Sequence, residues 1–523
     1  MSVSIDETWT VTKPAVRSAG GLVASHHHEA SEIGAAVLDA GGNAVDAAIA
    51  TGMAIGVAEP WMSGLGGCGY MVFHDAKTKR TYAVDFGTRS PLGLDPAAYP
   101  LEVGQDTDAD LFGWPRVVDD CNVQGPLSIG VPSVVAGHAL ALDKFGTMSW
   151  SDVLSPAIAL AERGMKIDWY ATLRIALEAP GLAKYPASRD FFLPDGLPAI
   201  SLNAADLTTR RNDAYLATLK RLAEAGPDDF YRGDIAASIA SDMAAMGGSL
   251  AAEDLAGYQA NAGAAVQSSY RDVTINVPPG LNAGPTLQDS FQRLEALWTP
   301  GEAPDADAYL AYAAAMEGAY EQRFATLGDS DKAGESCTTH FTVIDRDGSI
   351  VALTQTLLSV FGSRVMLPGT GILMNNGIMW FDPRPGRPNS MAPGKRPLSN
   401  MTPTIVTRAD GSGLMGLGAS GGRRIMASVF QLISFVSDFG WDLDRAFHQP
   451  RIDVSAEAAI AVDTRLDESV RLALADRHAT VDLPYAVNPT LYACPNAVCD
   501  NHNGTHDGAA FIMSPWAKVV GGG

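Results

Sequence analysis

Cysteine is scarce in this chain, and no long apolar run is present. Only five of its 523 residues are cysteine, an odd number, which excludes a disulfide scaffold of the kind that holds small secreted domains together. The longest uncharged apolar stretch, residues 47–58, is shorter than the roughly 18 residues that a membrane-spanning helix needs. The first twenty residues lack the apolar core of a signal peptide. We therefore expect a protein of the reducing cytoplasm.

Basic residues are also few. The chain has 37 lysines and arginines against 59 aspartates and glutamates, which gives a formal net charge of −22. Such a charge repels phosphate backbones and anionic lipid headgroups, so we expect neither nucleic acids nor membranes as partners and interpret the charge as a contribution to solubility. Hydrophobic residues make up 46% of the chain, a globular composition with enough length for a large core.

The spacing of apolar residues predicts an α/β protein with a helical middle and a sheet-rich C-terminal third. Asn43, with Asp46 three residues later, predicts a capped and buried helix over 44–58, and Ser25 is predicted to cap the helix before it. An alternating segment from Thr338 to Leu357 predicts a hairpin. The other predicted helices are 134–145, 150–164, 214–225, 235–246, 306–325 and 425–439, and the earlier strands are 70–73 and 81–86.

The hairpin brings hydroxyl groups together. A three-residue turn that ends in Gly348 pairs residues whose numbers sum to 694, so that Thr356 lies opposite Thr338, whereas a two-residue turn places Thr356 opposite Thr339. If the chain is cut before Thr338, the new α-amine has a pKa near neutrality and can activate the hydroxyl of the same residue. A threonine pair that only stabilises the sheet is the structural alternative.

Two glycine-rich segments match the spelling of known motifs. Residues 64–69 read G-x-G-x-x-G, but a helix precedes them and a strand follows, so close backbone packing is a better interpretation than dinucleotide binding. Residues 418–422 read G-x-S-x-G between a predicted strand and a predicted helix. Either Ser420 is a nucleophile, or the amides of Gly421 and Gly422 bind a developing oxyanion.

Two groups of potential metal ligands are not expected to bind a metal. The three histidines at 26–28 are expected on a solvated face. The segment from Cys494 to His506 has only part of a zinc-finger spacing, and we expect a surface turn there.

Several sequence blocks, in one order along nearly the whole chain, resemble the γ-glutamyltranspeptidase (glutathione hydrolase) family of N-terminal-nucleophile hydrolases. The resemblance implies a four-layer αββα sandwich and a precursor that cleaves itself between Cys337 and Thr338. The products are a large chain, 1–337, and a small chain, 338–523, which together form one composite domain as a heterodimer or a dimer of heterodimers. The implied chemistry requires no metal or organic cofactor. The matching blocks are residues 41–48, 65–69, 84–86, 338–341, 371–376, 393–399, 401–406 and 418–425.

The resemblance also implies roles for individual residues. Thr338 is the nucleophile in self-cleavage and in turnover, and Thr356 matches a supporting threonine. Gly421 and Gly422 match the pair whose amides form the oxyanion hole, which makes Ser420 part of a turn.

The chain departs from the family where the substrate is held. Ser399 matches the first of two serines that bind a substrate carboxylate, and Asn400 replaces the second. The arginine that binds the glutamyl carboxylate is missing from its place, which is Gly87, and Arg89 is the candidate replacement. Trp380 stands where family members carry an acidic residue that pairs with the glutamyl α-amine.

These departures predict acyl-transfer chemistry without recognition of a zwitterionic glutamyl group. Leu358 and Trp380 would supply apolar walls, and a small or non-glutamyl amide such as oxamate would suit that site, as in the oxamate amidohydrolase and acylase branches that the chain resembles. Three alternatives stay open. They are a true γ-glutamyltransferase or glutathione hydrolase, a serine hydrolase that uses Ser420 with a downstream His448 or His506, and an inactive family member that keeps the fold.

Overall fold

The computed structural model describes residues 10–102, 114–327, 337–455, 459–484, 486–487 and 492–523. The strands of this part of the chain are β1 Val16–Ser18, β2 Gly21–Ser25, β3 Cys68–Asp75, β4 Arg80–Phe86, β5 Met165–Ile167, β6 Thr208–Arg210, β7 Asn261–Ala264, β8 Val266–Tyr270, β9 Val273–Val277, β10 Cys337–Ile344, β11 Ile350–Leu358, β12 Thr404–Arg408, β13 Gly413–Ser420, β14 Ile452–Asp453, β15 Ile460–Asp463, β16 Thr480–Leu483, β17 Cys494–Asp500, β18 His506–Ala510 and β19 Lys518–Gly522.

The α-helices of the same residues lie mainly between β4 and β10. They are α1 His28–Asp39, α2 Ala44–Ala58, α3 Val134–Phe145, α4 Trp150–Arg163, α5 Trp169–Leu182, α6 Pro186–Phe192, α7 Asp213–Ala225, α8 Asp229–Arg232, α9 Asp234–Ala245, α10 Ala252–Ala256, α11 Gly284–Leu297, α12 Ala306–Leu327, α13 Arg424–Phe439, α14 Leu443–His448 and α15 Glu468–Arg477. Of the helices described, none is both long and apolar enough to cross a membrane.

Two seven-stranded sheets face each other at the centre of the molecule. The first has the strand order β19-β2-β10-β11-β3-β4-β7, and the second has the order β1-β18-β17-β13-β12-β9-β8. Neighbouring strands in both sheets run antiparallel. A buried apolar layer joins the sheets, with side chains such as Ile344 and Ala352 from the first and Ile405 and Val498 from the second.

Helices cover the outer face of each sheet. The α1–α4 and α7–α9 helices pack on the first sheet around residues such as Phe341 and Leu353. The α11, α12 and α13 helices pack on the second sheet around Phe291, Tyr312 and Phe430. The predicted four-layer αββα sandwich with a helical middle region is therefore confirmed.

Local sequence signals account for many of the elements. Asn43 accepts hydrogen bonds from two backbone amides and Asp46 bonds back to the Asn43 amide, so α2 has the predicted capping box, and all of its residues are buried. The predicted helices at 134–145 and 425–439 and the hairpin are also observed. The predicted cap at Ser25 is wrong, because Ser25 ends β2 and His27 caps α1 instead.

Segments from the two sides of residue 337 alternate within both sheets. In the first sheet, β10 and β11 lie between β2 and β3, and in the second, the four strands β18, β17, β13 and β12 lie between β1 and β9. A cut before Thr338 would leave each sheet built from both products, so one composite domain would remain.

Candidate active site

Thr338 lies at an irregularity of the first sheet. From the turn as far as the pair Thr339–Gln355, β10 and β11 keep the register in which residue numbers sum to 694, as a three-residue turn predicts. The register then shifts by one, so that Thr338 faces two residues, Thr356 and Leu357, in a β-bulge. Of the two registers that the sequence left open, the structure has the one set by a three-residue turn, and the bulge replaces the direct pairing of the two threonines expected from it. Bulges often lie beside active sites, where they re-aim a side chain.

The hydroxyl oxygen of Thr356 is oriented by its own strand. Its Oγ1 accepts a hydrogen bond of 2.8 Å from the backbone amide of Leu358. Leu358 has a left-handed conformation with φ 86°, which costs a leucine on the order of 1 kcal/mol. Both Thr338 and Thr356 are buried. The two threonines therefore lie on adjacent strands in the protein interior, next to a residue with an unfavourable backbone conformation.

The end of β13 approaches Thr338 from the second sheet. A Cβ at Gly416 would lie 2.4 Å from a side chain near the turn of the hairpin, and one at Gly418 would lie 2.4 Å from the ring of His340. Each step of two residues along β13 therefore moves toward the start of β10. Ser420, the last residue of β13, is paired with Cys494, whose carbonyl His26 joins to the hydroxyl of Thr339.

A buried histidine joins the two sheets beside Thr338. Nδ1 of His26 lies 3.4 Å from the hydroxyl oxygen of Thr339, and Nε2 lies 2.8 Å from the carbonyl oxygen of Cys494, the residue paired with Ser420. Because a carbonyl oxygen only accepts, Nε2 carries the proton and Nδ1 accepts from the hydroxyl of Thr339. Burial lowers the pKa of His26 to about 4, so the ring is neutral near pH 7.

β13 ends in a turn that requires glycine. Gly421 has φ 130° and Gly422 has φ 63°, a region that side chains with a Cβ avoid. A Cβ at Gly421 would also lie only 2.9 Å from the Cα atom of Ala493. Because α13 begins at Arg424, the amides of this turn precede the positive end of a helix dipole. Backbone amides in such a turn can bind an anion.

An apolar cluster lies beside the two threonines. Cys68 is paired with Thr356 across β3 and β11, and burial raises the pKa of its thiol to about 12, so the thiol stays protonated. Leu358 and Trp380 belong to this cluster, and both are buried. Both side chains therefore lie in an apolar cluster next to Thr356, and their role as walls of a substrate site stays a prediction. The buried members are Cys68, Tyr70, Trp114, Leu358, Met379, Trp380 and Met401.

A guanidinium group occupies the space above Gly87. A Cβ at Gly87 would lie 2.9 Å from Nη2 of Arg396 and 2.7 Å from the hydroxyl of Tyr70. Arg396 forms a two-pronged ion pair with Asp85, in which Nη1 lies 2.8 Å from Oδ2 and Nη2 bonds Oδ1. About a quarter of the Arg396 side chain, 27%, stays exposed. The predicted replacement, Arg89, is itself exposed two residues beyond Gly87.

Ser399 and Asn400 are held by an arginine that the sequence patterns did not single out. Arg323, a buried residue of α12, donates through Nη2 to the carbonyl of Ser399 at 2.9 Å and to Oδ1 of Asn400 at 3.0 Å. The Ser399 hydroxyl oxygen accepts from the amide of Met401 at 3.2 Å. The two predicted binding residues therefore sit on a segment that is tied to the helical layer.

The residues of the alternative serine hydrolase do not converge on Ser420. Ser420 pairs with Cys494 at one end of β17, whereas His506 pairs with Asp500 at the other end. Six strand residues separate these ends, a distance of about 20 Å. Nδ1 of His448 lies 2.7 Å from a carbonyl oxygen of its own helix, α14. Neither histidine hydrogen-bonds to Ser420. His448 and His506 therefore do not provide a general base for a Ser420 nucleophile.

The histidines at 26–28 do not form the solvated face that was expected. His26 and His27 are buried, and Nδ1 of His27 accepts from the amide of Glu29 at 3.2 Å as the cap of α1. Across the described ranges, His27, His28 and Glu29 are the one cluster with metal-ligand geometry. Nζ of Lys166 donates a hydrogen bond of 2.9 Å to Oε1 of Glu29. The carboxylate that a metal ion would need is therefore already paired with an ammonium group.

Two positions beside the site were not predicted as functional from the sequence. The sequence pattern assigned His26 to a solvent-exposed run of three histidines, although its position directly after the buried strand β2 indicates burial. Arg396 was part of a matching block without a role of its own. Both depend on partners distant in the chain, Thr339 and Cys494 for His26 and Asp85 for Arg396.

Comparison with known proteins agrees with this geometry. The family model described as gamma-glutamyltranspeptidase matches residues 30–336 and 330–503. The chain is 32% identical to the glutathione hydrolase proenzyme of Bacillus subtilis strain 168, over 83% of this chain and 80% of that protein. It is also 32% identical to the acylase ACY 1 proenzyme of Pseudomonas sp. strain SE83, over 96% of this chain and 94% of that one.

A solved structure shares the fold over the whole length. The cephalosporin acylase of Bacillus halodurans superposes with a TM-score of 0.83 and covers 100% of this chain and 99% of its own, at 22% identity. The two facing antiparallel sheets and the site between them thus define an N-terminal-nucleophile hydrolase fold. The chain belongs to the γ-glutamyltranspeptidase family, whose members include self-processing amidohydrolases and acylases.

Proposed function

We propose that this protein is a self-processing N-terminal threonine amidohydrolase or acyltransferase that acts on amides whose acyl group is not γ-glutamyl. The observation that carries the proposal is the arrangement around Thr338. This buried threonine faces Thr356 across a bulge. The turn of Gly421 and Gly422 follows Ser420 on the opposite sheet, and His26 joins the strand partner of Ser420, Cys494, to the neighbouring Thr339.

The first reaction is self-cleavage. Oγ1 of Thr338 attacks the carbonyl carbon of Cys337, the peptide C–N bond breaks, and the proton of the hydroxyl moves to the departing nitrogen. Water then hydrolyses the resulting ester, which leaves the carboxylate of Cys337 and the α-amine of Thr338. The products are the chains 1–337 and 338–523.

Turnover repeats this chemistry on a bound amide. The α-amine of Thr338 takes the proton from its own hydroxyl, and the oxygen attacks the amide carbonyl while the amides of Gly421 and Gly422 bind the oxyanion. The proton passes to the leaving amine as the C–N bond breaks. Water, or a second amine, then resolves the acyl-enzyme.

The apolar surroundings of the site support a non-glutamyl substrate. The glutamyl α-amine needs a carboxylate partner, and a lost charge-assisted hydrogen bond costs about 1.5–3 kcal/mol. Buried Leu358 and Trp380 instead offer apolar contact. We infer that Ser399 and Asn400 contribute to substrate binding, and that oxamate and other simple acyl amides are candidates. The identity to an acylase over nearly the full length supports this choice.

A true glutathione hydrolase is the second candidate. It is favoured by the 32% identity to a glutathione hydrolase proenzyme, which equals the identity to the acylase. The two candidates differ in whether a γ-glutamyl anilide is cleaved as efficiently as anilides of simple acids.

A denaturing gel with N-terminal sequencing tests the nucleophile. We expect two bands, the smaller starting Thr-Thr-His-Phe, a single uncut and inactive chain for Thr338→Ala, and residual cutting and activity for Thr338→Ser. Thr342→Ser changes another buried threonine of β10 and should still be cut. An uncut wild-type chain that is fully active, or one labelled by a fluorophosphonate at Ser420, would refute the proposal.

A further inference from the structure

A turn of the chain, residues 59–62, holds the strand that faces Thr338. From this turn we propose that Glu59 is a positioning residue for the proposed reaction and acts only while its carboxyl group is protonated. Ionisation draws Glu59 toward a cation on α5, shifts the turn and misaligns the bulge opposite Thr338, so that the enzyme is switched off at alkaline pH. The inference rests on the proposed function of Thr338.

The turn takes over from β3 at the end of β11. β3 pairs with β11 as far as Thr356, and the next residue, Leu357, donates its amide to the carbonyl of Met62 at 3.0 Å. The amide of Met62 bonds the carbonyl of Glu59 at 3.1 Å, which closes the turn. Leu357 is one of the two residues that Thr338 faces across the bulge. A chain of backbone hydrogen bonds therefore links Glu59 to the bulge.

The side chain of Glu59 is buried without the partner that an ionised carboxylate needs. Its Oε2 makes no hydrogen bond to any described residue. A buried charge without a partner is strongly unfavourable, whereas a neutral carboxyl group is tolerated far better. Burial accordingly raises the pKa of Glu59 to about 8. The protonated form is therefore the one that suits this turn.

Three side chains from other described elements have charges or titrations that couple to Glu59. Arg174 and Tyr170 lie on α5, and Cys494 begins β17. Burial raises the pKa of the Cys494 thiol to about 11 and raises the pKa of Tyr170 as well, so both groups are neutral where Glu59 titrates. Arg174 stays charged, and its attraction lowers the pKa of Glu59. Of these three groups, Arg174 is the one that can receive the ionised carboxylate.

Arg174 is bonded to Tyr170 while Glu59 is neutral. Its Nη2 donates to the Tyr170 hydroxyl at 2.7 Å, and its guanidinium carbon lies 5.0 Å from the centre of the Tyr170 ring. Because Oε2 of Glu59 makes no hydrogen bond in this arrangement, pairing with Arg174 requires the carboxylate to move. The turn that holds Leu357 moves with it, and the bulge opposite Thr338 loses its geometry.

Two titrations with opposite effects then shape the pH profile of turnover. The free α-amine of Thr338 must lose its proton to act as a base, and its ordinary pKa is about 7.7–8.0. Glu59 must keep its proton, and its pKa is about 8. A requirement for one base and one acid gives a bell-shaped profile. We expect kcat for a simple acyl p-nitroanilide to be greatest at about pH 8 and to fall above it.

The test compares the pH profiles of kcat for the processed wild type and for Glu59→Gln. Glutamine cannot ionise, so kcat of the variant should rise as the α-amine loses its proton and then stay level. At about pH 9.5 the variant should exceed the wild type by about thirtyfold, the factor by which protonation of a group with a pKa of about 8 has fallen there. A wild-type kcat that stays level at alkaline pH, or an equal fall in Glu59→Gln, would overturn the proposal.

Two variants of α5 keep Glu59 in place and should move the alkaline fall in opposite directions. Arg174→Met removes the attraction that lowers the pKa of Glu59, so the fall should move to higher pH. Tyr170→Phe removes the hydroxyl that competes with Glu59 for Nη2 of Arg174, so the fall should move to lower pH. Shifts in the same direction, or no shift in either variant, would contradict the switch.

Asp345→Asn is the matched control. Asp345 is another buried carboxyl group whose pKa is raised by burial, but it lies at the hairpin turn, at the other end of β10 from Thr338. This variant should change the melting temperature and leave the alkaline fall of kcat in place. An equal shift of the fall in Asp345→Asn and in Glu59→Gln would show that altered stability is the cause, and Glu59 would have no positioning role.

Tryptophan fluorescence distinguishes this failure from failure of the proposed function. Trp61 lies in the turn, and its ring centre is 5.6 Å from that of Trp516. If the turn shifts, wild-type emission should titrate with a midpoint at about pH 8, and emission of Glu59→Gln should not. If the small chain does not begin at Thr338 or no amide is cleaved, the proposed function fails, but this titration still reports on Glu59. The same emission profile in both proteins would refute the switch.

Discussion

The hydroxyl groups of two residues beside Thr338 are each held by a hydrogen bond. The neutral His26 holds the hydroxyl of the neighbouring Thr339, and the amide of Leu358 holds the oxygen of Thr356. Hydrogen-bonding groups that are already fixed in place do not have to reorient during a reaction. This electrostatic preorganisation lowers the activation barrier. The geometry of the proposed site therefore depends in part on His26, a side chain to which we assign no contact with the substrate.

Replacing His26 tests this dependence. His26→Ala removes the two hydrogen bonds that join Thr339 to Cys494, and the nucleophile would lose its alignment with the Gly421 turn. We expect kcat to fall about tenfold or more with little change in KM, and self-cleavage to slow, because each lost buried hydrogen bond costs about 1 kcal/mol or more. His26→Gln, which can donate and accept, should recover part of kcat.

The control is another buried histidine bonded to a hydroxyl. Nδ1 of His74 lies 3.1 Å from Oγ1 of Thr81, near the hairpin turn and far from Thr338. His74→Ala should lower the melting temperature without changing kcat. If His26→Ala lowers only the melting temperature, His26 has no positioning role.

The hairpin of β10 and β11 was predictable from local sequence, whereas its irregular end was not. Alternating β-branched residues and Gly348 with φ 86° account for the strands and the turn. The bulge at Thr338 and the left-handed Leu358 occur where the strand leaves the sheet and the Leu357 amide bonds the carbonyl of Met62. Met62 is far from the hairpin in the sequence, so the alternation of residues within the hairpin could not predict this contact.

The strain at Leu358 predicts an unusual tolerance of asparagine. Leu358→Asn loses buried apolar contact but relieves the left-handed backbone, which asparagine adopts more readily. Leu357 and Leu358 are both 0% exposed, but only Leu358 has a positive φ. Leu357→Asn therefore loses a similar amount of buried apolar contact without relieving any backbone strain. Thermal unfolding should show Leu358→Asn about 1 kcal/mol less destabilised. An equal or larger loss for Leu358→Asn would contradict the strain.

At the scale of the whole molecule, the two sheets and their helical layers bury several ionisable groups. Glu59, at the end of α2, is 3% exposed, and its Oε2 has no hydrogen-bond partner among the described residues. Burial raises the pKa of Glu59 to about 8, against the attraction of Arg174. The folded protein therefore keeps a proton on Glu59 that the unfolded chain releases at a much lower pH.

This proton makes stability depend on pH in a definite direction. Between the unfolded value near 4.5 and about 8 the folded state binds more protons, so Glu59 costs stability as pH rises and the full cost is present above pH 8. Glu59→Gln should match the wild type near pH 4.5 and exceed it at pH 8–9 by on the order of 2–4 kcal/mol. Melting temperatures across this range, with the exposed Glu253→Gln as control, measure the difference. Parallel curves for wild type and Glu59→Gln would show that Glu59 is ionised when folded.

The sequence by itself determined many of the helices, the capping box of α2, the hairpin, the family and the order of the motifs. These depend on neighbouring residues and on short spacings, as the capping box of Asn43 shows. Only the tertiary structure decided that Arg396 fills the space over Gly87, that His26 joins two sheets, and that Arg323 holds Ser399. Each of these contacts joins residues far apart in the chain, and such partners become neighbours only after the strands have paired and the two sheets have packed face to face.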